Sequence, residues 1–341
     1  MKSNSSSRDL LATALTVCVL LPAMAGMWWR YYFEFSVPPP PALSGTFQTG
    51  HLESGGLERS FSYYTPSHLG ENAPMLIALH GANSNGEKLR AFVGYEFEAL
   101  ADRYGFMVVY PDSFAGSWND CRVPSHNAAR RQGIDDVGFV RAVITDLQAR
   151  SGGQRPVYVL GYSTGGLMVY RLAVEAPETF AAAAAISASM PSEADSDCTP
   201  SRTPVSIAIV NGTADQVNPF EGGSQHGLWT LSLGNVQSAE QSARYFSELA
   251  GVDQGDANQT VVERLSNRAG ERRTWSGSKA KIELLAIHGG GHTIPQRLVR
   301  QPRILGATSA DVDALEKVWR FFTEPAEQIS MAHTRLEARD K

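Results

Sequence analysis

The feature that most constrains this chain is the stretch Val157-Tyr158-Val159-Leu160-Gly161-Tyr162-Ser163-Thr164-Gly165-Gly166, where a short apolar run enters the pattern G-x-S-x-G and apolar residues at helical spacing follow. It reads as strand, sharp turn, helix, the arrangement called a nucleophile elbow. Such a turn leaves no room for side chains beside the serine, which accounts for the glycines, and it lifts the hydroxyl above the C-terminal end of the strand. The helix that follows directs the positive end of its dipole at the same point, where negative charge would be favoured. The bare pattern arises by chance; the strand before it and the helix after it give it meaning.

The rest of the chain supplies a fold that can hold such a turn. Pro74 to Leu79, Phe106 to Tyr110, Pro156 to Leu160, Ala182 to Ile186, Pro204 to Val210 and Ile282 to Ile287 are short apolar runs bounded by turn residues, as expected of strands buried on both faces. Between and around them, Glu87 to Tyr104, Asp135 to Arg150, Thr164 to Glu175, Ser238 to Leu249 and Ser309 to Phe322 carry apolar residues at helical spacing. Thr46 to Tyr64 alternates and predicts antiparallel strands at the sheet edge. The expected class is α/β, a mostly parallel central sheet covered by helices on both faces.

Composition narrows the function. With 43% hydrophobic and 19% charged residues the chain is an ordinary globular one, and a formal charge of -5 argues against nucleic acid or an anionic membrane surface as partner. Cys18, Cys121 and Cys198 are far apart and form no C-x-x-C, so a structural zinc site of the usual kind is not expected. No metal or other cofactor is expected.

Lys2 and Arg8 precede an uncharged run from Leu10 to Trp29, which predicts export. Two readings stand: residues 1–25 are a signal peptide cleaved after Ala23-Met24-Ala25, or the segment to about Trp29 stays as a membrane anchor, with Trp28, Trp29, Tyr31 and Tyr32 as an interfacial belt. Pro38 to Pro41 marks a linker over 26–43, the catalytic domain occupies 44–323, and a polar tail fills 324–341. In an oxidising compartment Cys121 and Cys198 are either a disulfide or two buried thiols.

A serine hydroxyl is a poor nucleophile, so the elbow predicts a carboxylate and a histidine further along, in that order. The strand ending at Val210 opens into Asn211-Gly212-Thr213-Ala214-Asp215, which places Asp215 at the same sheet edge as Ser163. The strand ending at Ile287 opens into His288-Gly289-Gly290-Gly291-His292, a loop able to carry an imidazole back over the serine. His292 is the expected base and His288 the alternative. An oxyanion hole would take the amide of Thr164 and, from the loop Leu79-His80-Gly81-Ala82, that of Ala82, with the His80 side chain bracing the loop. Asp135 and Asp136 are expected to cap the helix they open. Trp118 either lines the substrate pocket or plugs the core.

LHG at 79–81, YPD at 110–112, SWND at 117–120, GIDDVGF at 133–139, GYSTGG at 161–166, NGTAD at 211–215 and GGGHT at 289–293 together resemble the polyhydroxybutyrate depolymerase and feruloyl esterase group of α/β-hydrolases, in family order across nearly the whole domain. The resemblance implies the α/β-hydrolase fold, Ser163, Asp215 and His292 as triad, and hydrolysis of a carboxylic ester through an acyl-enzyme. Substrates of that group would be hydroxyalkanoate oligomers or polymers, or plant cell-wall esters. Two departures, Asn211 where the family often has His and Ile294-Pro295 where it often has Trp-Pro, are expected near the acyl site. The other readings are a peptidase on the same fold and a catalytically inactive binding protein.

Overall fold

The computed structural model describes residues 21–34, 37–227, 232–252 and 260–324. Most of the expected export segment and of the tail lies outside them. Helix α1 covers the described residues 21–33, and among the described residues no helix is long and apolar enough to cross a membrane.

The alternating N-terminal segment folds as β1 (Thr46–Ser54) and β2 (Leu57–Thr65), paired antiparallel around Gly55 and Gly56. Then come β3 (Met75–Leu79), β4 (Met107–Pro111), β5 (Val157–Tyr162), β6 (Ala182–Ile186) and β7 (Ser206–Gly212). A small separate hairpin, β8 (Gly223–His226) and β9 (Ser232–Val236), precedes β10 (Thr260–Arg264), β11 (Gly270–Ser276) and β12 (Lys281–Ile287). Ten strands form one sheet in the order β1-β2-β4-β3-β5-β6-β7-β12-β11-β10. Its six central strands are parallel, and they are the six apolar runs of the sequence. The reason is burial: every residue of β3, β4, β6 and β12 is shielded from solvent, so neither face needs polar residues.

The helices α2 (Gly86–Phe92), α3 (Glu96–Tyr104), α4 (Ala128–Arg131), α5 (Asp136–Arg150), α6 (Thr164–Glu175), α7 (Ala239–Leu249) and α8 (Ala314–Thr323) cover the sheet. Phe139 of α5, Leu167 of α6 and Phe246 of α7 belong to one apolar cluster, and Leu89 of α2, Phe97 of α3 and Trp319 of α8 to another across the sheet. This is the α/β-hydrolase architecture.

Three expectations need correction. The helix expected over Glu87 to Tyr104 is two helices, broken where Gly94 (φ 66°) and Tyr95 (φ 61°) take left-handed backbone. The last helix begins at Asp313, whose side chain accepts from the Glu316 amide at 3.2 Å, rather than at Ser309. Asp135 caps α5, accepting from the Gly138 amide at 2.7 Å, but Asp136 does not. It is wholly buried, paired with Arg59 at 2.7 Å and accepting from the Asn119 amide at 2.7 Å, and burial pushes its carboxyl above the usual range.

Cys121 and Cys198 are joined by a disulfide, with Cα atoms 5.1 Å apart. It ties the loop after β4 to the segment after β6.

Candidate active site

At the C-terminal edge of the sheet the elbow is built by close backbone approach. A Cβ at Gly161 would lie 2.1 Å from the Gly165 carbonyl oxygen, and one at Gly165 would lie 2.2 Å from that of Leu79, so α6 can press against the ends of β5 and β3 only through glycine. Ser163, between them, is held at φ 56° and ψ -120° as the residue preceding α6. Its amide donates to the Ile186 carbonyl at 2.9 Å. Non-glycine residues rarely adopt this conformation, and here the surrounding strands impose it.

The loops after β7 and β12 bring the partners. Asp215 Oδ2 accepts from His292 Nδ1 at 2.8 Å, and His292 Nε2 lies 2.8 Å from Ser163 Oγ. The other carboxylate oxygen of Asp215 accepts from the amides of Val217 and Asn218, each at 2.8 Å, so the carboxylate cannot rotate away from the ring. His292 is fixed from its backbone: its amide donates to Leu305 and its carbonyl accepts from the Tyr162 hydroxyl at 2.7 Å. His288 turns elsewhere, exposed, with Nδ1 3.2 Å from the Arg268 carbonyl oxygen. Of the two histidines flanking the triple glycine, only His292 reaches the serine.

The loop from Leu79 to Ala82 runs beside Ser163. A Cβ at Gly81 would lie 3.4 Å from that of Ser163. His80 is buried beneath: Nδ1 donates to the Gly81 carbonyl at 2.7 Å, Nε2 accepts from the Ser113 amide at 3.1 Å, and burial pushes its pKa down. A neutral imidazole held at both nitrogens braces the loop. The amides of Ala82 and Thr164 donate to no group among the described residues, and both residues line a cleft of about 740 Å³ that opens over Ser163. Leu89, Phe92, Val217 and Leu305 make its walls apolar.

Trp118 is not part of that cleft. It is fully buried, its ring 5.1 Å from that of His80 and its Nε1 donating to the His80 carbonyl at 2.8 Å, so it plugs the core beneath the loop. The two departures from the family pattern also stay outside. Asn211 is buried, donating to Ala188 and Ser189, and Ile294 is buried with its amide on Gln301. Neither lines the cleft. The sequence reading missed Arg122 and Gln225, which do, and Asn218, whose side chain ties the Asp215 loop to Ser189. Their role depends on contacts between distant segments, and no local spacing announces it.

The chain is similar to known proteins in sequence and in fold. Residues 59–203 match the family described as esterase PHB depolymerase. A protein of Nocardia uniformis subsp. tsuyamanensis assigned as an esterase, NocK, is 28% identical over 261 residues, 73% of each chain. Feruloyl esterase B of Thermothelomyces thermophilus is 33% identical over 126 residues, 36% of this chain and 42% of that relative. Acetylxylan esterase A of Talaromyces purpureogenus is 24% identical over 250 residues, 68% of this chain and 63% of that relative. Among solved structures, the acetyl xylan esterase from Aspergillus awamori superposes with a TM-score of 0.54 at 20% identity, covering 74% of this chain and 96% of that one. Fold, cleft and relatives define a carboxylic ester hydrolase of the α/β-hydrolase fold. Within that class, the chain is similar to the polyhydroxybutyrate depolymerase and feruloyl esterase group.

Proposed function

We propose that the protein is an exported serine esterase in which Ser163, His292 and Asp215 act as nucleophile, base and orienting carboxylate. The observation that carries this reading is the unbroken hydrogen-bonded chain from Asp215 through His292 to Ser163 at the floor of the cleft. Ser163 Oγ attacks the ester carbonyl carbon while His292 Nε2 takes the hydroxyl proton. Asp215, held by two amides, stabilises the imidazolium and keeps its proton on Nδ1. The carbonyl oxygen, now negative, accepts from the Ala82 and Thr164 amides. The tetrahedral intermediate collapses as His292 returns its proton to the leaving alcohol, leaving an acyl group on Ser163. Water, deprotonated by the same imidazole, attacks the acyl carbon, and collapse frees the acid and restores the serine.

The substrate is an ester of the kind the group handles, a hydroxyalkanoate or a cell-wall acyl ester. Hydroxybutyrate oligomers, methyl ferulate and acetylated xylan are the panel that separates these. Export rests on Lys2 and Arg8 ahead of the uncharged run, and the disulfide fits an oxidising compartment.

The test is Ser163→Ala with p-nitrophenyl acetate. The substitution removes one hydroxyl and leaves the glycines of the turn in place, so the thermal midpoint is expected to hold while kcat/KM falls by at least about a thousandfold. Smaller loss would remove Ser163 from the nucleophile's role. Absence of turnover by the unmodified protein on every ester of the panel would favour the inactive binding protein.

A further inference from the structure

The charge on the cleft runs against the charge on the molecule. The chain has 35 acidic and 30 basic residues, yet the residues lining the cleft include Lys88 and Arg122 and no Asp or Glu. Asp215 is not among the lining residues, its side chain being wholly buried behind His292.

The two cations are held differently. Arg122 is buried, with Nε and Nη2 donating to Asp120 at 3.0 and 2.7 Å and Nη1 donating to Gln225 at 2.7 Å. Its charge is therefore offset in place. Lys88 is exposed on α2, one turn before Phe92, and has no carboxylate within ion-pair distance among the described residues. Its charge reaches His80, beneath the Ala82 loop, where it adds to the effect of burial in keeping that imidazole neutral. An unpaired ammonium on a largely apolar cleft, close to the candidate oxyanion loop, draws an anion toward the reacting centre and leaves a neutral chain of the same length without a charged partner.

We propose that Lys88 is a specificity-determining residue, and that the cleft selects esters carrying a free carboxylate over neutral esters of the same size. The inference rests on the ester-hydrolase reading and names the substrate class for that site. The carboxylate would meet Lys88 while the scissile carbonyl lies at Ser163, and the neutralised Arg122 would supply neighbouring N–H groups without further net charge.

Two probe pairs test it, one with the charge in each half of the ester. Mono-4-nitrophenyl adipate is set against 4-nitrophenyl hexanoate, and 3-(butyryloxy)butyrate against its ethyl ester, with uncatalysed hydrolysis subtracted throughout. In at least one pair the ratio of kcat/KM, anionic over neutral, is expected to fall about tenfold in Lys88→Gln, the size of one lost charge-assisted hydrogen bond. It should fall further in Lys88→Glu and recover in Lys88→Arg. Added salt should compress the wild-type ratio toward that of Lys88→Gln, because the ammonium is open to screening. The pair that responds reports which half of the ester meets Lys88. Ratios within about twofold of wild type for Lys88→Glu in both pairs, no more than an idle surface charge would give, overturn the inference and leave the hydrolase standing. Failure of the unmodified protein to cleave any of the four esters overturns this inference, and failure on hydroxybutyrate oligomers, methyl ferulate and acetylated xylan as well overturns the hydrolase reading.

Discussion

At the scale of single residues, the site separates groups whose role is local from groups whose role is not. Ser163, Asp215 and His292 were legible because each sits where an apolar strand gives way to glycine-rich chain, and the parallel sheet brings all such ends to one edge. Asp136 and Trp118 were not. The partner of Asp136 is Arg59, 77 residues away, and the carbonyl that takes the Trp118 indole proton belongs to His80, 38 residues away; nothing beside either residue reveals its partner. The choice between His288 and His292 shows the same limit at short range, since both flank the triple glycine and only the path of the loop decides which returns to the serine. With His292 Nε2 at 2.8 Å from Ser163 Oγ and His288 exposed on the Arg268 carbonyl, His292→Ala is expected to cost several powers of ten in kcat/KM. His288→Ala should cost less than about tenfold, as removal of an exposed side chain outside the reacting group should. Steady-state kinetics of the two variants on one chromogenic ester decide this. Equal losses, or the reverse order, would transfer the base to His288.

At the scale of elements, the buried strands announced themselves and the edges did not. A strand covered on both faces is apolar along most of its length, whereas β10 and β11 lie at the sheet margin with alternating or charged residues such as Glu263, Arg272 and Arg273, which equally suit loop. The α2 and α3 pair hid its break for a related reason: the apolar spacing continues across Val93, while the backbone turns at Gly94 and Tyr95. Where an element meets another through backbone, the glycine is decisive. A Cβ at Gly165 would lie 2.2 Å from the Leu79 carbonyl oxygen and 2.7 Å from that of His80, and no side chain is there to yield. Gly165→Ala therefore forces the first turn of α6 away from β3. The expected cost is about 1–3 kcal/mol of unfolding free energy, as for overpacking of a closed core. Activity should fall as well, because the Thr164 amide moves with that turn. Gly153→Ala is the control: its Cβ would meet nothing within 4 Å, and its φ is not positive. Urea denaturation of the two variants should separate them, and a Gly165→Ala protein as stable and active as wild type would refute the packing argument.

At the scale of the whole molecule, stability rests on a few buried groups whose partners are far apart in the chain. Glu283, in the middle of β12, is 3% exposed, and burial raises its carboxyl to about 7 against the pull of Arg272, Lys281 and Lys317. In the unfolded chain the ordinary value is 4.5, so between these two values the folded state binds more protons, and stability must fall as the pH rises through that window. A shift of this size corresponds to about 3 kcal/mol. Glu283→Gln, which cannot ionise, should flatten the decline in urea midpoint between about pH 5 and pH 8, and an undiminished slope would place its source elsewhere. The disulfide acts on the other side of the equilibrium. Cys121 and Cys198 are 77 residues apart in sequence, and closing so long a loop restricts the unfolded chain by an amount that typically gives about 2–4 kcal/mol. Hydrogen bonds gather around the bridge: Val123 donates to the Asp195 carbonyl at 2.8 Å, Asp197 to that of Cys121 at 3.1 Å, and the Asp195 carboxylate accepts from the Asn235 amide in β9 at 2.7 Å. Arg122 reaches Gln225 in β8 from the same loop, so the stapled segments carry the hairpin that brings Gln225 and Leu233 to the cleft. These contacts do not need the sulfur–sulfur bond once the chain is folded. A reductant should thus lower the melting temperature before it lowers ester turnover at room temperature, and the Cys121→Ala, Cys198→Ala double variant should do the same without reductant. Non-reducing peptide mapping of protein recovered from an oxidising compartment should find the two cysteines in one cross-linked peptide pair. Two alkylatable thiols there would rule the bridge out, and turnover that collapses at room temperature while the melting temperature holds would mean that the bridge serves the cleft rather than the fold.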